Sequence, residues 1–302
     1  MADTQCPSAG QINLDHVAHF VPGIESASAE LQRLGFTLTP FSAQSHRLET
    51  GGPLLPAGTG NRCVMLREGY LEFLTPTGNT PLADQLRTAI GRYVGVHVIA
   101  FGTAAPDVDH ARLSKAGFKP LAPIALERTI DTPDGEEVAR FTVVRVPAGT
   151  MAEGRIQFCQ HHTPGLLWQS RWVDHANRAS GLAGVVICVE DPERTAHRYS
   201  AFTGLPPQVA GKSWRIDTSR GYLLFVAPDV LRQALEMQPP VLPWIAGYVL
   251  KSDDVVATSG YLRDSGFRVQ AAGNRRVLVP LPSAPGGIAI FEPLLSGPFI
   301  FD

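Results

Sequence analysis

The chain has 302 residues, 44% of them hydrophobic and 18% charged, with a formal charge of -2. That is about twice the usual length of one domain, so two domains or one large pseudo-symmetric body is expected, with ample chain for a core. The absence of a basic block argues against nucleic acid as a partner, and apolar runs far shorter than a bilayer span argue against a membrane.

The N-terminal "MADTQCPSAGQ" has no basic region followed by an apolar core, so a cytoplasmic location is expected. The cysteines, Cys6, Cys63, Cys159 and Cys188, have no C-x-x-C spacing and read as free thiols rather than a disulfide framework or a zinc knot. A first unit begins with strand-like "LDHVAHFV", continues with helix-like "GIESASAELQRLGF" and ends with "RCVML" and "YLEFLTP", with a further strand expected around His46 to Glu49. The second runs from "GVHVIAFGT" through "DVDHARLSKAGF" to "RFTVVRVP" and "GRIQFCQ". After "DHANR", read as a linker, the third runs from "LAGVVICVE" to "GYLLFVAP", and the fourth from "AGYVLKS" to "GGIAIFEP". Each helix stops at a glycine followed by a large apolar residue, at Gly35, Gly117, Gly204 and Gly266, as a left-handed helix terminus requires.

Alternation places His16, Ala18 and Phe20 on one face of the first strand and His19 on the other, where it reads as structural. Glu72 lies between Leu71 and Phe73 on a strand with no other charge, and a buried carboxylate there needs a cation, a metal or a proton. His161 and His162, in "CQHHTPG", read as rim residues. No G-x-G-x-x-G, P-loop or G-x-S-x-G occurs, which argues against nucleotide binding and serine hydrolysis.

Four strand-helix-three-strand units resemble the vicinal oxygen chelate superfamily, which includes glyoxalase I, bleomycin-resistance proteins and extradiol dioxygenases. The resemblance is carried by "LDHVAHFVPG", "GTGN" at Gly58 to Asn61, and "YLEFLTP". It implies an α+β fold of four βαβββ modules in two pseudo-symmetric halves, each pair of modules forming a curved mixed-sheet cup. Residues 11–165 would be a glyoxalase-like domain with the metal cup, and residues 180–302 a degenerate copy.

Carried over residue by residue, the resemblance implies metal ligands at His16, Glu72 and His97, with Gln157 as a weak fourth ligand or a supporting hydrogen-bond partner. These would hold one divalent ion, Zn, Fe, Ni or Mn, with Glu72 also the catalytic base, since an amide at Gln157 cannot serve as one. In the second half the corresponding positions fall on Gly184, Leu224, Ala246 to Tyr248 and near Ala289, which cannot coordinate. The expected activity is a metal-dependent isomerase or lyase on a small molecule with adjacent oxygens. The alternatives are an Fe(II) ring-cleaving dioxygenase and a non-catalytic binding or resistance protein. Beyond a small-molecule substrate, a homodimer is the one partner left open.

Overall fold

In the computed structural model, residues 5–46, 55–273, 275–297, 299 and 301 are described, and their strands form two eight-stranded mixed sheets. The first module comprises β1 (Ile12–Phe20), α1 (Ile24–Arg33), β2 (Ser42–His46), β3 (Leu55–Met65) and β4 (Tyr70–Pro76). The second comprises β5 (Gly95–Thr103), α3 (Pro106–Lys115), β6 (Ile124–Thr132), β7 (Gly135–Arg145) and β8 (Arg155–His161), and α2 (Pro81–Arg92) joins the two. A short α4 (Pro164–Leu167) follows.

The second half repeats the order. Its third module is β9 (Ala179–Cys188), α5 (Pro192–Thr203), β10 (Pro207–Ala210), β11 (Ser213–Asp217) and β12 (Tyr222–Val226). After α6 (Pro228–Leu235) come β13 (Trp244–Ser252), α7 (Val255–Asp264), β14 (Gln270–Ala271), β15 (Val277–Pro280) and β16 (Ile288–Pro293). The sheet orders are β2-β3-β4-β1-β5-β8-β7-β6 and β10-β11-β12-β9-β13-β16-β15-β14, so in each the first strands of two modules meet antiparallel at the centre.

Four βαβββ modules in two halves are thus present. Gly35, Gly117, Gly204 and Gly266 all take positive φ, between 77° and 87°, at the ends of the four module helices. The strand expected around His46 to Glu49 is β2, which ends at His46, and residues 47–49 lie outside the described residues. Several elements escape the sequence reading: β6, paired with β7 across a tight turn at Thr132–Gly135, the short strands β10 and β14, the short α4, and the connecting helices α2 and α6.

The two sheets pack back to back. Leu14, Val17 and Ile99 of the first sheet share one buried cluster with Val185, Ile187 and Leu250 of the second. Leu31, Leu113, Tyr199 and Leu262 of the four module helices join it. The opposite face of each sheet, the concave one, therefore points away from this shared core. Residues Asp174–Arg178, between the halves, make specific contacts: His175 accepts from the Thr37 N–H at 3.0 Å and donates to the Met65 carbonyl at 2.9 Å, and Asn177 donates to the Leu34 carbonyl at 2.8 Å.

Candidate functional site

The concave face of the first sheet encloses a cavity of about 780 Å³. Its floor includes His16 from β1, Tyr70 and Glu72 from β4, Val98 from β5 and Gln157 from β8. Helix α2 covers one end, where Leu86 packs with Ala18, Phe20, Leu74 and Val98. At the other end Trp168, just after α4, packs with Tyr70 and Met65.

His16 is held from both sides. Its ring stacks on Tyr70 at 4.4 Å, and its Nδ1–H donates to Asp15 Oδ2 at 2.6 Å. The same carboxylate oxygen accepts from His161 Nε2 at 2.9 Å. Asp15 is fully buried; burial alone would raise its pKa, but His161 and His16 hold the carboxyl well below the ordinary range. Burial likewise works against charge on His161, yet Asp15, with a smaller contribution from Cys159, raises it well above an ordinary imidazole. Asp15 and His161 form a buried ion pair beneath the floor, and His161 is therefore not a rim residue. His162 fits that reading better: it is exposed and shares a 2.8 Å hydrogen bond with Thr142 Oγ1.

Because Nδ1 is committed to Asp15, His16 has its Nε2 left over, with no hydrogen-bond partner among the described residues. A carboxylate fixing the tautomer from behind is how ligating histidines are commonly oriented. Among the described residues, Asp15, His16 and His161 also form a group whose donor atoms lie within 4.8 Å of one another, a spacing that could hold an ion. As they stand, these atoms are joined by hydrogen bonds, so the arrangement aims His16 rather than enclosing a cation.

Glu72 is half-buried on the cavity wall. Its Oε1 accepts a short hydrogen bond from Asn61 Nδ2 and a longer one from Gln44 Nε2 at 3.5 Å. Gln157 lines the same cavity, and its side-chain amide makes no hydrogen bond among the described residues. The structure thus brings together His16, Glu72 and Gln157 of the residues singled out from sequence. It does not bring His97 to them.

The reason is strand register. The antiparallel pairing sets His16 against Ala100 and Ala18 against Val98, so a local two-fold exchanges His16 with Val98. Asp15 is an extra residue between two paired positions on β1, and His97 is the corresponding extra residue on β5. His97 is thus the counterpart of Asp15, not of His16. Its Nε2–H donates to the Tyr93 carbonyl at 2.9 Å, its ring lies 4.1 Å from Tyr93 and 5.1 Å from Phe20, and it is 2% exposed. Carried over by position on the first strand of each module, the resemblance is blind to the bulges and aligns His97 with His16; a one-residue slip transfers a side chain to another environment.

Sequence reasoning also passed over Asp15, which precedes the residue it orients, and three cavity arginines, Arg128, Arg145 and Arg155. Arg128 belongs to β6, a strand missed altogether. The alternation of Ile124, Leu126, Arg128 and Ile130 was the available signal.

The second concave face is filled. Parallel pairing sets Tyr222 beside Gly184 as it sets Tyr70 beside His16. A Cβ on Gly184 would meet the Tyr222 ring at 2.6 Å, so this ring occupies the space that an imidazole takes in the first sheet. Leu224, at the Glu72 position, packs with Val186, Ile290, Phe299 and Phe301, and the Phe299 N–H donates to the Tyr222 hydroxyl at 2.8 Å. His16 and Glu72 thus correspond to Gly184 and Leu224, while register places the other two counterparts at Gly247 and Ile290.

Comparison with known proteins agrees with this architecture. The model of a glyoxalase-like domain matches residues 14–203. A hypothetical protein from Staphylococcus aureus superposes with a TM-score of 0.62 at 14% identity, over 94% of this chain and 100% of that one. A mutant of 4-hydroxymandelate synthase from Streptomyces coelicolor gives 0.57 at 15% identity, over 93% and 92%. An Mn(II)-bound glyoxalase from Novosphingobium aromaticivorans gives 0.53 at 9% identity, over 95% and 83%. No curated protein matches the chain. The likeness to these structures is one of fold, while the sequence match extends across more than half of the chain: it belongs to the glyoxalase-like domain family.

Proposed function

We propose that the protein is a metal-dependent enzyme of the glyoxalase-like type, an isomerase or lyase acting in the N-terminal cup on a small molecule with adjacent oxygens. The observation that carries this reading is the orientation of His16, whose Nδ1 is fixed by Asp15 and whose ring lines a cavity shared with Glu72. The donor chemistry fits a divalent ion: one pre-oriented imidazole, one carboxylate and the amide oxygen of Gln157, without His97. When bound there, the ion would supply Lewis-acid polarisation of two neighbouring substrate oxygens.

The chain's own residues supply the rest. Asn61 and Gln44 donate to Glu72 Oε1, leaving Oε2 to take a proton from substrate carbon and return it one atom away. Gln157 positions by hydrogen bonding and cannot exchange a proton in this way. Apolar side chains such as Leu74 and Val98 limit water around the reacting atoms. The buried Asp15–His161 pair stays beneath the floor and keeps His16 in one tautomer.

A ring-cleaving dioxygenase normally presents two imidazoles and a carboxylate with open positions. Only His16 among the described histidines lines this cavity, which favours the isomerase or lyase reading. A metal-free binding protein is the second reading, favoured by Val98 at the position that is the two-fold counterpart of His16. Calorimetric titration with Mn(II), Ni(II) and Zn(II) separates them. The enzyme reading expects one site per chain, weakened about 10- to 100-fold in Glu72→Gln. A parent protein that folds normally and binds none of these ions contradicts it.

A further inference from the structure

Three guanidinium groups converge on the wall of the cup opposite His16. Arg128, Arg145 and Arg155, on β6, β7 and β8, all line the cavity and are half-buried. Burial lowers the pKa of each; Arg145 further opposes charge on the other two, while Glu72 favours it. Among the described residues, few protein groups compensate them. Arg128 donates to the carbonyls of Ser45 at 3.3 Å and Glu127 at 2.8 Å, Arg155 reaches Gln85 Oε1 only at 3.5 Å, and the Arg145 guanidinium has no hydrogen-bond partner among the described residues.

The other acids lining the cavity among the described residues, Asp131 and Glu136, are exposed beside the β6–β7 turn, and Asp131 is engaged by Arg171 at 3.2 Å. Inside, Glu72 faces three cations. Partly desolvated guanidiniums are costly to hold together unless an anion completes them.

The pseudo-two-fold gives this wall its meaning. Parallel pairing sets Tyr70 beside His16 and Arg155 beside Val98; antiparallel pairing sets Cys63 against Glu72 and Arg145 against Gln157. His16, Tyr70, Glu72 and Cys63 of the first module are therefore replaced in the second by Val98, Arg155, Gln157 and Arg145. One module presents proton- and metal-binding groups. The other presents two fixed cations at the same places, and Arg128 adds a third.

We propose that Arg128, Arg145 and Arg155 bind the carboxylate or phosphate headgroup of an organic anion whose apolar body lies against Phe41, Leu82 and Ile124 and whose reactive end faces His16 and Glu72. This names the substrate class of the reaction proposed above and rests on that reading only for the reactive end. Guanidinium forks match either headgroup through paired N–H···O contacts, and the surrounding apolar walls select against small inorganic ions.

The test is calorimetric binding of phenylacetate, phenyl phosphate and the neutral phenylacetamide to the full chain, with chelator present so that metal plays no part. At least one anion should bind about tenfold or more tightly than the amide, and the better of the two identifies the headgroup. Arg145→Gln combined with Arg155→Gln should reduce that preference to about threefold or less, while Arg145→Lys with Arg155→Lys should retain part of it. Equal binding of all three probes by the parent protein, which depends on no variant, overturns the proposal, as does an undiminished preference in the folded Gln double variant. With metal excluded, failure here leaves the metal reading standing, and failure of metal binding leaves this one standing.

Discussion

Asp15 is fully buried and charged, and two imidazole N–H groups on one of its oxygens make that tolerable. Asparagine at this position keeps the volume but removes the charge that fixes both rings. Asp15→Asn should leave the fold intact and weaken divalent-ion binding by about 10- to 100-fold through loss of His16 orientation. A titration curve identical to the parent's would show that His16 is positioned by Tyr70 stacking alone. His97 makes the converse case. His97→Phe keeps the stack between Phe20 and Tyr93 but orphans the Tyr93 carbonyl, so stability should fall by about 1–3 kcal/mol in denaturant titrations. Metal affinity should stay within about twofold of the parent, because the side chain does not line the cavity.

Element by element, the repeating order of strand and helix was legible in the sequence because glycine helix stops and alternating strands are local signals. His16 and Glu72 were legible through the family resemblance, and for Glu72 alternation added a second signal by placing it on the face opposite Leu71 and Phe73. His97 was not, because a bulge is a property of strand pairing and leaves no mark in the strand that carries it. The arginine wall was hidden in another way. Arg128, Arg145 and Arg155 come from three strands, one of them unrecognised, and converge only after the sheet curves. In the third module, the exchange of His16 for Gly184 is coupled to the placement of Tyr222. Gly184→Ala should therefore cost about 1–3 kcal/mol by overpacking, and Tyr222→Leu in the same chain should recover part of it. Additive losses in a double-mutant cycle would show that the two residues do not compete for one space.

Across the whole molecule, back-to-back sheets give two concave faces with different fates: one open and lined with ionisable groups, the other filled by Tyr222, Phe299 and Phe301. No described helix is long and apolar enough to cross a membrane. The shared interior also holds histidines that must remain neutral. His19, His97 and His175 are each lowered from 6.5 to about 4, chiefly by burial, against the opposing influence of the carbonyls they donate to. A base with a depressed folded pKa binds fewer protons folded than unfolded between these values. Its stabilising contribution is thus complete above pH 6.5 and lost as pH falls toward 4, amounting to about 3 kcal/mol per histidine by order of magnitude. Melting temperature should drop progressively between pH 6.5 and 4.5, and His175→Gln should show a shallower drop; an equal slope in that variant would assign the acid sensitivity to other groups.

In the function proposed above, chemistry is confined to the first cup and organised by His16 and Glu72. Its most direct test is anomalous scattering from crystals of the full chain equilibrated with Mn(II). One peak per chain is predicted, in contact with His16 Nε2 and the Glu72 carboxylate, with His97 still on the Tyr93 carbonyl and the second cup empty of metal. A peak between β9 and β12, or one in the first cup coordinated by His97 without His16, would contradict the account.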